Sequence, residues 1–312
     1  MDACLFAHYS SLCLFGACYC HCFYGMGGGL LEVLVSPLVD SIPGDAKSAG
    51  MSLLHSFYCW GQVAVVLFTT LALRLLGTQL WFIIPLLWSL LPLYNLVCFH
   101  RVPIPDAQPT AEHAQGGGLF KQGLFWLGLI LMVAAGASEQ GMSQWSSSFA
   151  EAALGVDKVI GDLLGPCLFG VFMALGRTAH GIMGDKLPLR PALLGCAGLA
   201  IACYLTASLV PIPMLALAAC ALCGLAVSLF WPGVFSYSAE HLQGGTRMFG
   251  IFAILGDVGC AAGPWLIGFI AGLSGGASQL RTGLLFGSVF PVLMLVGVFL
   301  LAFVSVPSKK QI

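Results

Sequence analysis

The sequence predicts an all-α, polytopic membrane protein, and three observations carry that prediction. Of the 312 residues, 59% are apolar and only 8% are charged, where a soluble domain carries about 25% charge. The apolar residues fall in runs about 20 long, the length a helix needs to cross a bilayer. Those runs do not alternate as a barrel strand would, and lipid offers the backbone no hydrogen bonds, so each span must close on itself as a helix. Mean hydropathy is +0.95. A net charge of −1 leaves no basic face for a nucleic acid, so the expected surroundings are the lipid bilayer.

Nine spans are expected, in order, at about 11–38, 49–76, 79–98, 121–143, 158–182, 190–210, 213–236, 247–272 and 282–305. Residues 99–120 are the one long polar connection. They contain Arg101, Asp106 and Glu112 with Pro and a Gly triplet, the make-up of a flexible linker. The linker separates residues 1–98, three helices, from residues 121–312, six helices. With Lys309 and Lys310 placed in the cytoplasm, Lys47, Arg101, Lys121, Arg177, Lys186, Arg190 and Arg247 also fall inside. Only Arg74, Lys158 and Arg281 fall outside, which satisfies the positive-inside rule for a multi-pass protein of the cell (inner or plasma) membrane.

The thirteen cysteines include Cys13, Cys59, Cys167, Cys196 and Cys260, scattered through apolar helices, where they act as small packing residues. Cys18, Cys20 and Cys22 alternate, and Cys220 and Cys223 lie one helical turn apart. A zinc site needs an accessible polar setting, so no metal or cofactor is expected. No Lys or Arg precedes the first apolar run, so the basic start of a signal peptide is missing.

An offset of 195 residues aligns two stretches without gaps: Gly29 with Gly224, Pro37 with Pro232, Gly50 with Gly245, Phe57 with Phe252 and Gly61 with Gly256. Glycines and prolines mark close approaches and bends, so the matches point to an internal repeat of the kind transporters use. Projected onto the first half, the repeat calls for roughly 70–80 more residues, or three helices, before residue 1. The sequence is then about nine of twelve helices arranged as two bundles.

The segment Gly181-Ile-Met-Gly-Asp185-Lys186-Leu-Pro-Leu-Arg190 resembles the G-x-x-x-D-(R/K)-x-x-x-R signature of the major facilitator superfamily, in its second-half copy. The resemblance implies a two-bundle transporter in which Gly181, Asp185, Lys186 and Arg190 latch the cytoplasmic side. The latch would lie against the start of the 49–76 helix. Within that superfamily, residues 25–75 resemble the fucose permease type of sugar:proton symporter. The resemblance rests on Gly25, Gly27, Gly28 and Gly29, then Glu32 and Pro37, then His55-Ser56-Phe57-Tyr58-Cys59-Trp60-Gly61. Trp231-Pro232-Gly233 looks like the matching segment of the tenth helix. Ser36 stands where fucose permeases have Asn, and Tyr58 stands where Asn is usual.

An acid inside a bilayer is costly, which makes each one a functional candidate. Glu32 lies within a helix and, by the resemblance, is the proton-coupling residue; the alternative is a structural bond to a neighbouring helix. Glu139, Gln140, Gln144 and Trp145 form a polar patch at the end of the 121–143 helix. They can bind hydroxyls with a ring stacked on a sugar face, or be an ordinary interfacial rim. Asp257 lies near midplane and its repeat partner is Gln62, as suits a site on the pseudo-two-fold axis; an interhelical hydrogen bond is the rival. His55, Tyr58 and Trp231 complete the expected solute-binding set, His55 also being readable as a packing residue. Arg177 and His180 read as snorkelling near a helix end, and Asp162 as a cap or an ion pair with Lys158.

The function expected is secondary transport of a small polar solute, a sugar or related metabolite, by a monomer using alternating access and protons. No phosphate loop, catalytic triad or zinc-protease pattern is present, so an enzyme is not expected. The rivals are an uncoupled facilitator, an inactive fragment and a membrane enzyme acting on a lipid-linked substrate.

Overall fold

Apolar runs become helices here, and proline decides where several of them break. The computed structural model describes residues 2–42, 47–102, 118–183, 186–242, 245–274 and 279–303. Asp106, Glu112, Asp185, Lys309 and Lys310 lie outside the described residues. Among those described there is helix and no strand.

The helices are α1 (Asp2–Ser41), α2 (Lys47–Leu76), α3 (Ile83–Trp88), α4 (Leu90–Phe99), α5 (Gly123–Leu154), α6 (Lys158–Asp162), α7 (Leu168–Met183), α8 (Leu189–Leu209), α9 (Pro213–Val227), α10 (Phe230–His241), α11 (Gly245–Ser274), α12 (Gln279–Gly287) and α13 (Val289–Leu300). Short breaks join some of them, so eight stretches are long and apolar enough to cross a membrane: 22–41, 47–76, 123–152, 158–183, 189–209, 213–241, 245–274 and 279–300.

Three expected spans differ in detail. The 79–98 span is a short apolar stretch, Ile83–Phe99, interrupted at Ser89. Pro92 has no N–H to offer the carbonyl of Trp88, and its ring crowds that carbonyl. The 121–143 helix runs on to Leu154 and ends at Gly155, which takes a left-handed φ of 68°. The 213–236 span is two helices with a break at Ser228 and Leu229, four residues ahead of Pro232 and for the same reason as at Ser89. Between α6 and α7 the chain makes one wide π turn, Leu163–Cys167, around Pro166.

The core lies among α5, α8, α9, α10, α11 and α13, filled by Phe125, Phe149, Tyr204, Phe230, Phe235 and Phe252. α5 and α11 cross closely because small residues face each other. A Cβ on Gly136 would strike the carbonyl of Gly256, and one on Gly259 the carbonyl of Val133. α2 packs along α7, and α1 lies across α2 and α11.

Candidate functional site

Helix α5 carries the centre of the site. Because it extends to Leu154, Glu139 falls at its middle and not at an outer rim. Gly136 and Gly141 lie inside an unbroken helix, against α11 and against Tyr204 and Ile267. Glu139 is 5% exposed and Arg177 on α7 is 2% exposed. Arg177 Nη2 meets Glu139 Oε2 at 2.8 Å. Such a buried pair survives only when its remaining donors are satisfied, and here they are. Arg177 Nε donates to the carbonyl of Ser228 at 2.9 Å. Its Nη1 donates to the carbonyl of His55 at 3.1 Å and to Cys59 Sγ at 3.2 Å. Pro232 explains why the Ser228 carbonyl is free: the residue four positions on, which would bond it in a continuous helix, has no N–H.

A polar belt continues from this pair. Gln140 Nε2 donates to the Tyr58 hydroxyl at 3.1 Å, and Gln144 Nε2 donates to Gln140 Oε1 at 3.2 Å. Gln62 Nε2 donates to Ser143 Oγ at 3.1 Å. These bonds bring α2 to α5. Glu32 on α1 is half-buried and interacts electrostatically with Asp257, Glu139 and Arg177. Asp257 is exposed, near the middle of α11. Of these charged groups Glu139 and Arg177 are buried together, with Glu32 half-buried and Asp257 exposed.

The aromatic candidates sit differently. The His55 ring stacks on Phe235, centroids 5.9 Å apart, and its Nε2 has no partner among the described residues. Trp231 is 6% exposed, its ring filling the notch at Gly256, and its Nε1 is likewise unpartnered among the described residues. Trp145 fills the notch at Gly268 and donates to the carbonyl of Pro264 at 2.8 Å. It is therefore held against α11 and not alongside Gln140 and Gln144.

At the signature segment, Gly181 packs on the first turns of α2: a Cβ there would lie 3.3 Å from the Ala49 carbonyl and 3.2 Å from Leu53 Cβ. One residue earlier on each helix, Ser52 Oγ bonds His180 Nδ1 at 2.7 Å. Lys186 is exposed. Arg190 donates to the carbonyls of Val298 and Phe299 at the end of α13, at 3.3 and 3.1 Å, where a cation complements the helix dipole. At the opposite end, Lys158 pairs with Asp162 and Glu151, each at 3.2 Å. The cap of α6 is Asp157, whose carboxylate accepts from the Val159 N–H.

Sequence reasoning missed Arg177 as a site residue. The signal was present: Gly170, Met173, Ala174, Arg177, His180 and Gly181 share one helical face, so the charge lies on the face that packs.

The family profile of the Major Facilitator Superfamily matches residues 3–264. The chain belongs to the Major Facilitator Superfamily. Among solved structures, this superfamily member resembles the E. coli fucose:proton symporter FucP. The TM-score is 0.67 at 17% identity, over 86% of this chain and 72% of that one. FucP in the outward conformation gives a TM-score of 0.63 at 16% identity, with the same coverage. At these identities the likeness is one of fold. No curated protein matches the chain by sequence. As a member of the superfamily, the chain is a multi-pass membrane transporter.

Proposed function

We propose that the protein is a monomeric secondary transporter of a small polar solute, a sugar or related metabolite, coupled to protons through Glu32. It rocks residues 1–98 against residues 121–312 about the linker 99–120. The observation that carries this reading is the polar belt at mid-depth. Glu32, Tyr58, Gln62, Glu139, Gln140, Gln144 and Asp257 come from four helices, α1, α2, α5 and α11. Ionisable groups at such depth are costly unless a transported species uses them, and a midplane site between repeats suits alternating access. His55, Trp231 and Trp145 would line its apolar side. Gly181, Asp185, Lys186 and Arg190 would close its cytoplasmic end. The FucP structures share this fold and are those of a fucose:proton symporter and its outward conformation.

Transport in proteoliposomes tests the reading. A panel of neutral sugars and polyols is screened for uptake with and without an inward proton gradient. Glu32→Gln is expected to lower gradient-driven accumulation by at least about ten-fold while exchange of solute across the membrane persists. Full proton-driven accumulation by the variant would remove Glu32 from the mechanism. Wild-type flux indifferent to the gradient would favour the uncoupled facilitator.

A further inference from the structure

We propose that Arg177 is a positioning residue of the transport cycle, a pin that holds α2 to α7 and to the α9–α10 break until Glu139 loses its charge. The inference rests on the transporter reading above and adds the element that controls the movement.

One guanidinium joins three places in the fold to α7. Nη2 reaches α5 at Glu139, Nη1 reaches α2 at the His55 carbonyl and Cys59 Sγ, and Nε reaches the Ser228 carbonyl at the break. The bonds to Glu139 and Ser228 lie within residues 118–303. Those to His55 and Cys59 cross to residues 47–76. Any motion that separates α2 from α7 must break them. Other ties between these helices among the described residues include small-residue contacts at Gly170 and Gly181, the Ser52–His180 bond, and a long Trp60–Thr178 bond of 3.4 Å. The bonds from Arg177 are the charge-assisted ones, and such bonds are the stronger.

Glu139 holds the pin in place. A cation in an apolar interior is tolerated when its counter-charge is beside it. Neutralise Glu139 and Arg177 is left as an unpaired buried charge, whose cheapest course is to turn toward water, withdrawing from α2. The groups that face Glu139 are Arg177 from α7, Tyr58 and Cys59 from α2, Glu32 from α1 and Cys260 from α11. Glu32 adds a second negative charge on the same side, so a proton that reaches the belt changes the balance Arg177 feels.

The protein carries its own reporter. Cys59 is 0% exposed and in contact with the pin, while Cys203 is 3% exposed on α8, away from α2. Alkylation by N-ethylmaleimide in proteoliposomes, resolved by site with mass spectrometry, gives the ratio of Cys59 to Cys203 labelling. In the wild type, imposing an inward proton gradient at fixed external pH should raise that ratio at least about three-fold. Glu139→Gln should hold it high without a gradient and remove the response. Arg177→Lys should do the same, since an ammonium cannot span partners set for a planar fork. A wild-type ratio indifferent to the gradient overturns the proposal even if both variants fail to fold. So does an Arg177→Lys protein that labels as wild type does. Proton-coupled transport with an unmoved ratio sinks the pin alone; a responsive ratio without any solute flux sinks the transporter reading and leaves the pin.

Discussion

Residues 2–102 and 118–303 are built from the same kinds of apolar helix, yet they are packed in opposite ways. In the 18-residue apolar stretch at the heart of each span, only 6% of the residues are buried within 22–41 and 11% within 47–76, against 67% within 123–152 and 72% within 213–241. Glycines make the contrast local. Gly29 and Gly61 have nothing near the place a Cβ would occupy. Their counterparts 195 residues on, Gly224 and Gly256, are filled by the backbone of Phe169 and the ring of Trp231. Glycine therefore does not create a close helix crossing by itself. It permits one, and the facing element supplies it.

Matched substitutions sharpen that comparison. The largest effect is expected at Gly256→Leu, which forces a side chain into the Trp231 ring and should cost about 3 kcal/mol or more, lowering the thermal midpoint in detergent. Gly61→Leu should leave the midpoint unchanged or slightly raised, since the space is open and leucine is the better helix former; a large drop there would show that something covers this face of α2 in the membrane. Next, Gly224→Ala should destabilise by about 1–3 kcal/mol, because the clash is with backbone. Gly29→Ala should have the opposite sign, a gain of about 0.5–1 kcal/mol from helix propensity alone. A comparably small effect belongs to the boundary between the regions. Tyr58→Phe removes the acceptor of Gln140 and should cost about 1 kcal/mol, read as a small fall in the same midpoint.

The spans were legible because a twenty-residue apolar run has few other uses in a chain with so little charge. Their ends were less so. Glu139, Gln140, Gln144 and Trp145 read equally as an interfacial rim closing the helix near 143, although Glu139, Ser143, Ser146 and Ala150 continue one face at helical spacing, and all four are buried. The Arg177–Glu139 pair was beyond a linear reading for a different reason. Its partners are 38 residues apart, and its third contact, at Ser228, exists because of a proline on yet another helix. Arg177 lies only six residues from the end of α7, and distance to the nearest end is what the snorkelling reading weighs. Asp257 and Gln62 illustrate the reverse. Their place along the helix followed from the apolar runs, and both lie near the middle of 30-residue helices.

The π turn at Leu163–Cys167 sets a phase relation across the 158–183 span. A turn with one residue more than the α-helix rotates everything beyond it by about 100° relative to an uninterrupted helix. On one side stand Lys158 and Asp162, held by Ser147 and Glu151 of α5; on the other stand Arg177 and His180, aimed at α5 and α2. Both sets meet their partners only because the extra residue is there. The span therefore works as two faces indexed to each other by a single inserted position, and deleting one residue between 163 and 167 would swing the guanidinium away from the carboxylate without changing any side chain in the site.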